Sequence, residues 1–275
     1  MIERIAKLLA LAEAAGSSAE AEAAFARAQA LASKYSIDLA VAQAQQSKGR
    51  EREAPVTRTV RIGEKGRHAN APMVLLYDTI ARANDVRILI AKDSTTVYPT
   101  GFPSDLDVVE ALWASLATTM TRFGDELVRD KGAAWRTETV RAWDDRTWSY
   151  VDRKVSGQGA RKSYYSSFTT RIGERLQEAR DAAVRDADVR HFHADAVAGA
   201  DASNLPSSMA LVLRGKAAEV EEAQWANYEA KYGRKRPRGS WKGGRSSTSW
   251  SASAGAAGRA AADGVSLNGR RSIAS

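Results

Sequence analysis

Apolar positions recur at helical spacing through the first 46 residues, alternate between Val56 and Pro99, and return to helical spacing after Ser104. In the first segment Ile2, Ile5, Leu8, Leu9 and Ala12 form one stripe, with Glu3, Arg4, Lys7 and Glu13 on the opposite face. Gly16 ends that helix, and Ser17-Ser18-Ala19-Glu20 supplies a capping box for a second one bearing Ala21, Ala24, Phe25, Ala28, Leu31, Ala32 and Tyr35. Ser36-Ile37-Asp38 starts a short third helix. Residues 1–46 therefore read as a helical hairpin module, and the polar stretch 47–55 as a linker.

The strongest strand signal follows. Val56 to Ile62 places Val56, Val60 and Ile62 on one side of an extended chain, despite Arg58. Val86 to Ala91 and Thr95 to Pro99 form a hairpin across Lys92-Asp93-Ser94, and between these runs Pro72 suits the first turn of a helix carrying Val74, Leu75, Tyr77, Ile80 and Ala81. Ser104 is placed to cap a helix with Leu106, Val109, Leu112, Trp113, Leu116 and Met120 on one face. Ser167 to Asp186 reads as a further helix, Ser208 to Leu213 as a strand returning to the sheet, and Ala217 to Tyr232 as a last helix. The expected fold is α+β: a helical hairpin, then over residues 56–232 a mostly antiparallel sheet of three or four strands with helices mainly on one face, and a flexible basic tail over 233–275.

The run from Ile5 to Asp38 resembles the N-terminal module known as domain of unknown function 2786, found in bacterial and phage proteins. The shared features are Lys7 to Ala12, Glu20 to Ala24, Ala28-Gln29 and Lys34-Tyr35-Ser36-Ile37. Ser167-Phe168, Arg175-Leu176 and Ala210-Leu211-Val212-Leu213 are similar to the α+β domain that accompanies it. Such a resemblance implies an architecture and brings no catalytic residue, cofactor or activity.

Charge changes the picture at two places. The chain carries +8 overall, and residues 233–275 hold nine cations against the single acid Asp263, so the first 232 residues are formally neutral. Counterion release from a polyanion by Arg234, Lys235, Arg236, Arg238, Lys242 and Arg245, with Trp241 and Trp250 to stack on bases, makes this tail the expected nucleic-acid contact. Residues 233–254 are too rich in glycine, serine and cations to bury a core and are expected to be flexible, with an alanine-rich helix over 255–264. The second place is 131–165, where six aromatics from Trp135 to Tyr165 interleave with eight cations. Two readings stand there: tryptophans packed against the Trp113 helix with solvated arginines, or a stacking surface for single strands. No clean alternation appears, so a helix or ordered insertion is expected.

The remaining chemistry is mostly exclusion. A chain without cysteine has no disulfide, thiolate metal site or cysteine nucleophile. No GxxxxGK[ST], GxSxG or HExxH pattern occurs, and Lys162 stands where the third glycine of a dinucleotide fingerprint would follow Gly157 and Gly159. His191 and His193, flanked by Asp188 and Asp195, would share one side of an extended strand and could hold a divalent metal, but the spacing fits no common zinc module. No apolar run reaches membrane-spanning length, and Met1-Ile2-Glu3-Arg4 opens directly into a helix, so the expectation is a soluble cytoplasmic protein without membrane partner or cofactor. A non-enzymatic DNA- or RNA-binding protein is the leading functional expectation. A protein-interaction module acting through the short alanine-rich helices of residues 1–46 is the first alternative, since Glu20 and Glu22 disfavour DNA reading there, and a metal-dependent enzyme using His191 and His193 is the second.

Overall fold

The computed structural model describes residues 53–189, 209–233, 241 and 250–264, together with isolated helical positions between Arg4 and Ile37. Its elements are β1 (Val56–Thr57), β2 (Val60–Arg61), α1 (Asn70–Ala83), β3 (Arg87–Ile90), β4 (Thr96–Gly101), α2 (Pro103–Arg129), β5 (Thr139–Asp144), β6 (Ser149–Lys154), α3 (Gly157–Asp188), α4 (Met209–Tyr232) and α5 (Ala252–Gly264). This is the expected α+β class.

β4 is central to the main sheet. β3 pairs antiparallel along one edge, and β1 and β2 pair in continuous register along the other, from Val56 opposite Gly101 to Arg61 opposite Thr96. Because successive side chains alternate across a strand, Val60, Ile88, Ile90 and Val97 point to one face, where they join the main core with Tyr77, Ile80, Leu112 and Leu116 from α1 and α2. Arg58 shares that side and is accommodated because its guanidinium reaches Asp107 at 2.6 Å and Glu110 at 3.1 Å on α2. Helix α3 packs behind α1 and α2 through Phe168, Ile172 and Leu176, and α5 lies along α3. Glycine makes that last approach possible: a Cβ on Gly258 would stand 2.2 Å from the Tyr164 carbonyl oxygen.

Several sequence expectations are corrected. Of the strand expected over Ser208 to Leu213, the residues from Met209 are helical; α4 runs from Met209 to Tyr232 and covers the other face of the sheet, so helices lie on both faces. Its buried stripe is Met209, Val212, Lys216, Val220 and Gln224. Two polar members break the apolar periodicity and leave Met209 to Leu213 looking like an isolated run. Helix α2 begins at Pro103, with Phe102 as its cap residue and Ser104 buried in the first turn, so Ser104 is not the cap. Helix α3 starts ten residues before the expected Ser167 and is capped by Ser156, whose Oγ accepts from Gly159 N at 3.0 Å. The flexible tail does not extend over Ser251 to Gly264: Ser251, Ala254 and Ala262 are buried, since small residues let α5 sit close on α3. The linker between 47 and 52, most of the N-terminal hairpin, His191 and His193 lie outside the described residues.

The most heavily buried charges lie beneath α4. Lys216 Nζ, on a side chain only 2% exposed, stands 2.8 Å from Asp105 and 3.8 Å from Asp85, and Arg180 reaches Asp85 at 2.5 Å. These four charges sum to zero and tie α4 to the start of α2, the end of α1 and α3. Breaking such a pair from one side costs far more than replacing both partners. Lys216→Met is expected to lower stability by about 3–5 kcal/mol in urea unfolding, and adding Asp105→Leu is expected to recover most of that loss. An equal loss in the single and double variants would show that volume, not charge, sets the effect.

Candidate nucleic-acid interface

The segment expected to be a helix or insertion is an antiparallel hairpin arm. β5 and β6 pair with each other and, among the described residues, with no other strand, in register from Thr139 opposite Lys154 to Asp144 opposite Ser149. The pattern escapes detection in sequence because neither face is uniformly apolar. One face carries Val140, Ala142 and Val151, half-buried; the other carries Thr139, Arg141, Trp143, Tyr150, Asp152 and Lys154, all exposed. Alternation is present, but between small apolar residues and a mixture of aromatic and charged ones.

The outer face is where the arm's aromatics gather. Trp143 and Tyr150 face each other across the ladder with ring centroids 5.2 Å apart and planes at 72°, and Trp148 meets Trp143 edge-on at 6.4 Å and 85°. Arg141 stands 5.9 Å from the Tyr150 ring. Trp143, Trp148 and Tyr150 are 45%, 81% and 62% exposed. Trp148 also holds a φ of +48°, in the left-handed region that costs a bulky residue roughly 1–2 kcal/mol. In this chain no burial of its ring offsets that cost. Backbone strain of this kind concentrates where a site is shaped for a partner. The carboxylate of Asp144 is turned to the inner face and held by Arg153 at 3.2 Å.

The arm's foot is fixed at several points. Trp135 is buried, donates from Nε1 to the Leu127 carbonyl at 3.1 Å, and packs with Val155, Ala160 and Ala254. Val155 N donates to the Glu138 carbonyl at 3.0 Å. The Glu138 carboxylate accepts from Ser251 Oγ at 2.6 Å and from Ser253 N at 2.8 Å, at the N-terminus of α5. These hydrogen bonds, the serine hydroxyl first, hold its pKa below the ordinary value of 4.5. Ser251 in turn accepts from Ala254 N at 3.2 Å and donates its own amide to Ser163 Oγ at 3.0 Å. One carboxylate therefore joins the arm to the last helix.

Residues 131–165 divide between burial and exposure, and the packing reading accounts for the buried subset alone. Trp135, Tyr164 and Tyr165 are buried, whereas Trp143, Trp148 and Tyr150 are exposed. Of the tail residues, Trp241 is half-buried against the main core, its indole N–H donating to Ser94 Oγ at 2.9 Å beside the β3–β4 turn. Trp250 is 52% exposed and lies over Gly255 at the arm's foot, one residue before Ser251. Arg234, Lys235, Arg236, Arg238, Lys242 and Arg245 lie outside the described residues. In the N-terminal segment Leu8 and Leu31 pack against the main core, and Ile37 is buried with Ala187, Met209 and Val212.

Other chemistry is sparse. Among the described residues no cluster of three or more histidines and carboxylates could hold a metal, and no helix is long and apolar enough to cross a membrane. An open groove of about 470 Å³ lies over Ile62, Met73, Trp113 and Ala117, and its polar lining is Thr118, Thr121 and Arg122. The family model described as a protein of unknown function (DUF2786) matches residues 1–39, well short of half the chain. No curated protein and no solved structure matches the chain.

Glu138→Ala is expected to weaken the docking of α5 by about 1 kcal/mol, the usual cost of losing a helix cap, seen as faster amide exchange across 252–264. The carboxylate's folded pKa is lowered, so its contribution is complete above pH 4.5, the ordinary value, and is lost as pH falls through the folded pKa. Wild type and variant should therefore differ most at neutral pH and converge in acid. A constant difference across that range would mean that Glu138 acts through packing alone.

Proposed function

We propose that the chain binds nucleic acid with little sequence preference, the arm supplying ring contacts to bases and the basic tail supplying phosphate contacts. The observation that carries this reading is the exposed Trp143, Trp148 and Tyr150 set on an arm that also presents Arg141 and Lys154. Aromatic rings beside cations are the combination that sequence-tolerant binding requires. The tail contributes the chain's formal charge excess. It also reaches the arm: Trp250 is at the foot, and Arg245, five residues earlier, is within about 17 Å of it along the chain. From foot to tip the arm spans about 20 Å. Arg245 then lies within chain reach of the arm's foot.

Removal of everything after Tyr232 is a poor test, because it also removes α5 and exposes the core residues beneath Ala254 and Ala262. Substitution is cleaner. If each of the six tail cations neutralises one phosphate, log K should fall against log salt with a slope of about −4 on a single strand and about −5 on duplex. Replacing Arg234, Lys235, Arg236, Arg238, Lys242 and Arg245 by glutamine is expected to flatten that slope by about 4 on a single strand while the fold is retained. An unchanged slope would place the phosphate contacts elsewhere, and no binding by the wild type at low salt would end the nucleic-acid reading.

A further inference from the structure

We infer that the outer face of the β5–β6 arm takes unpaired nucleotides in preference to duplex, an inference that rests on the nucleic-acid reading above. Trp143 meets Tyr150 and Trp148 edge to face, at 72° and 85°. In such a set the rings do not lie flat on one another, so ring planes stay available to a further aromatic group. An unpaired base offers its whole plane to such a ring. In a duplex both planes of each base are covered by neighbouring pairs, and only edges face outward. The ring set therefore has far more to gain from a single strand.

The polar groups on the same face are Thr139, Arg141, Asp152 and Lys154, of which the two cations suit phosphate contacts and Asp152 does not. Arg141 lies directly opposite Asp152 in the ladder and beside Trp143 on the same face, about 7 Å along the strand. At that spacing a base on the Trp143 ring leaves its own phosphate within reach of the guanidinium. Asp144, the acid nearest that ring in sequence, is turned to the opposite face and held by Arg153. Trp148 occupies the turn in a left-handed conformation that glycine would adopt at no steric cost, so its ring is present against the preference of the backbone.

The test compares the full chain with Trp148→Gly and with Trp143→Ala/Tyr150→Ala by fluorescence anisotropy, on a labelled oligothymidylate and on a duplex of equal length. Glycine relieves the strained turn, so Trp148→Gly keeps the fold, and thermal unfolding of both variants verifies this. Loss of one stacked base is expected to weaken single-strand binding about tenfold, with duplex binding unchanged. Equal losses on both ligands would overturn the single-strand preference while keeping the arm as a contact, and no loss in either variant while the wild type binds would overturn the inference and leave nucleic-acid binding to the tail. Wild-type protein that binds neither ligand at low salt would overturn both.

Discussion

The Glu138 carboxylate ties the foot of the arm to the start of the last helix. It accepts two hydrogen bonds at the N-terminus of α5, where the helix dipole favours an anion, and it stands directly before the first residue of β5. A two-stranded hairpin with one fully exposed face has little stability of its own. Its direction must be set from the foot. Trp135 and Val155 fill the space below, and Ser251 carries the connection on to Ser163 of α3. The rings at the tip can therefore be solvated and still be held in fixed relation to the rest of the protein.

Beneath the foot, the layers depend on two close approaches of different kinds. On one side α5 reaches α3 because Gly258 places no Cβ against the Tyr164 carbonyl. On the other, α4 closes the open face of the sheet with charges rather than with a broad apolar stripe: Lys216 enters between Asp105 and Asp85, and Arg87 bridges to Glu221 at 3.1 Å. Burial makes the Lys216 contact demanding of geometry, because each charge is desolvated and must find its partner. Lys216 so ties α4 to the start of α2 and to the end of α1.

Much of this was legible in the sequence where burial imposes a single period. The Val56 to Ile62 strand, the β3–β4 hairpin and the faces of α2 and α3 all follow from apolar spacing. The α4 start was not legible, because Lys216 and Gln224 occupy core positions and break the periodicity. Nor was the arm, whose alternation sets Val140 and Ala142 against Arg141 and Trp143. Its ingredients were visible as a mixture of aromatics and cations, but sequence could not separate Trp135, which is buried, from Trp148, which is not. A distinguishing signal existed in Asp144-Asp145-Arg146-Thr147, a polar turn between two runs of strand-forming residues. The docking of α5 depends on Gly258 meeting the carbonyl of Tyr164, far earlier in the chain, and no local pattern encodes that.

The functional account rests on rings that the fold leaves in water at the end of a well-anchored arm. The most direct measurement is photocrosslinking of the full chain to a 5-iodouracil-substituted single strand, followed by identification of the joined peptides. The account expects crosslinks at Trp143, Trp148 or Tyr150, because excitation joins the base to the aromatic ring on which it stacks. Crosslinks confined to other parts of the chain would contradict it.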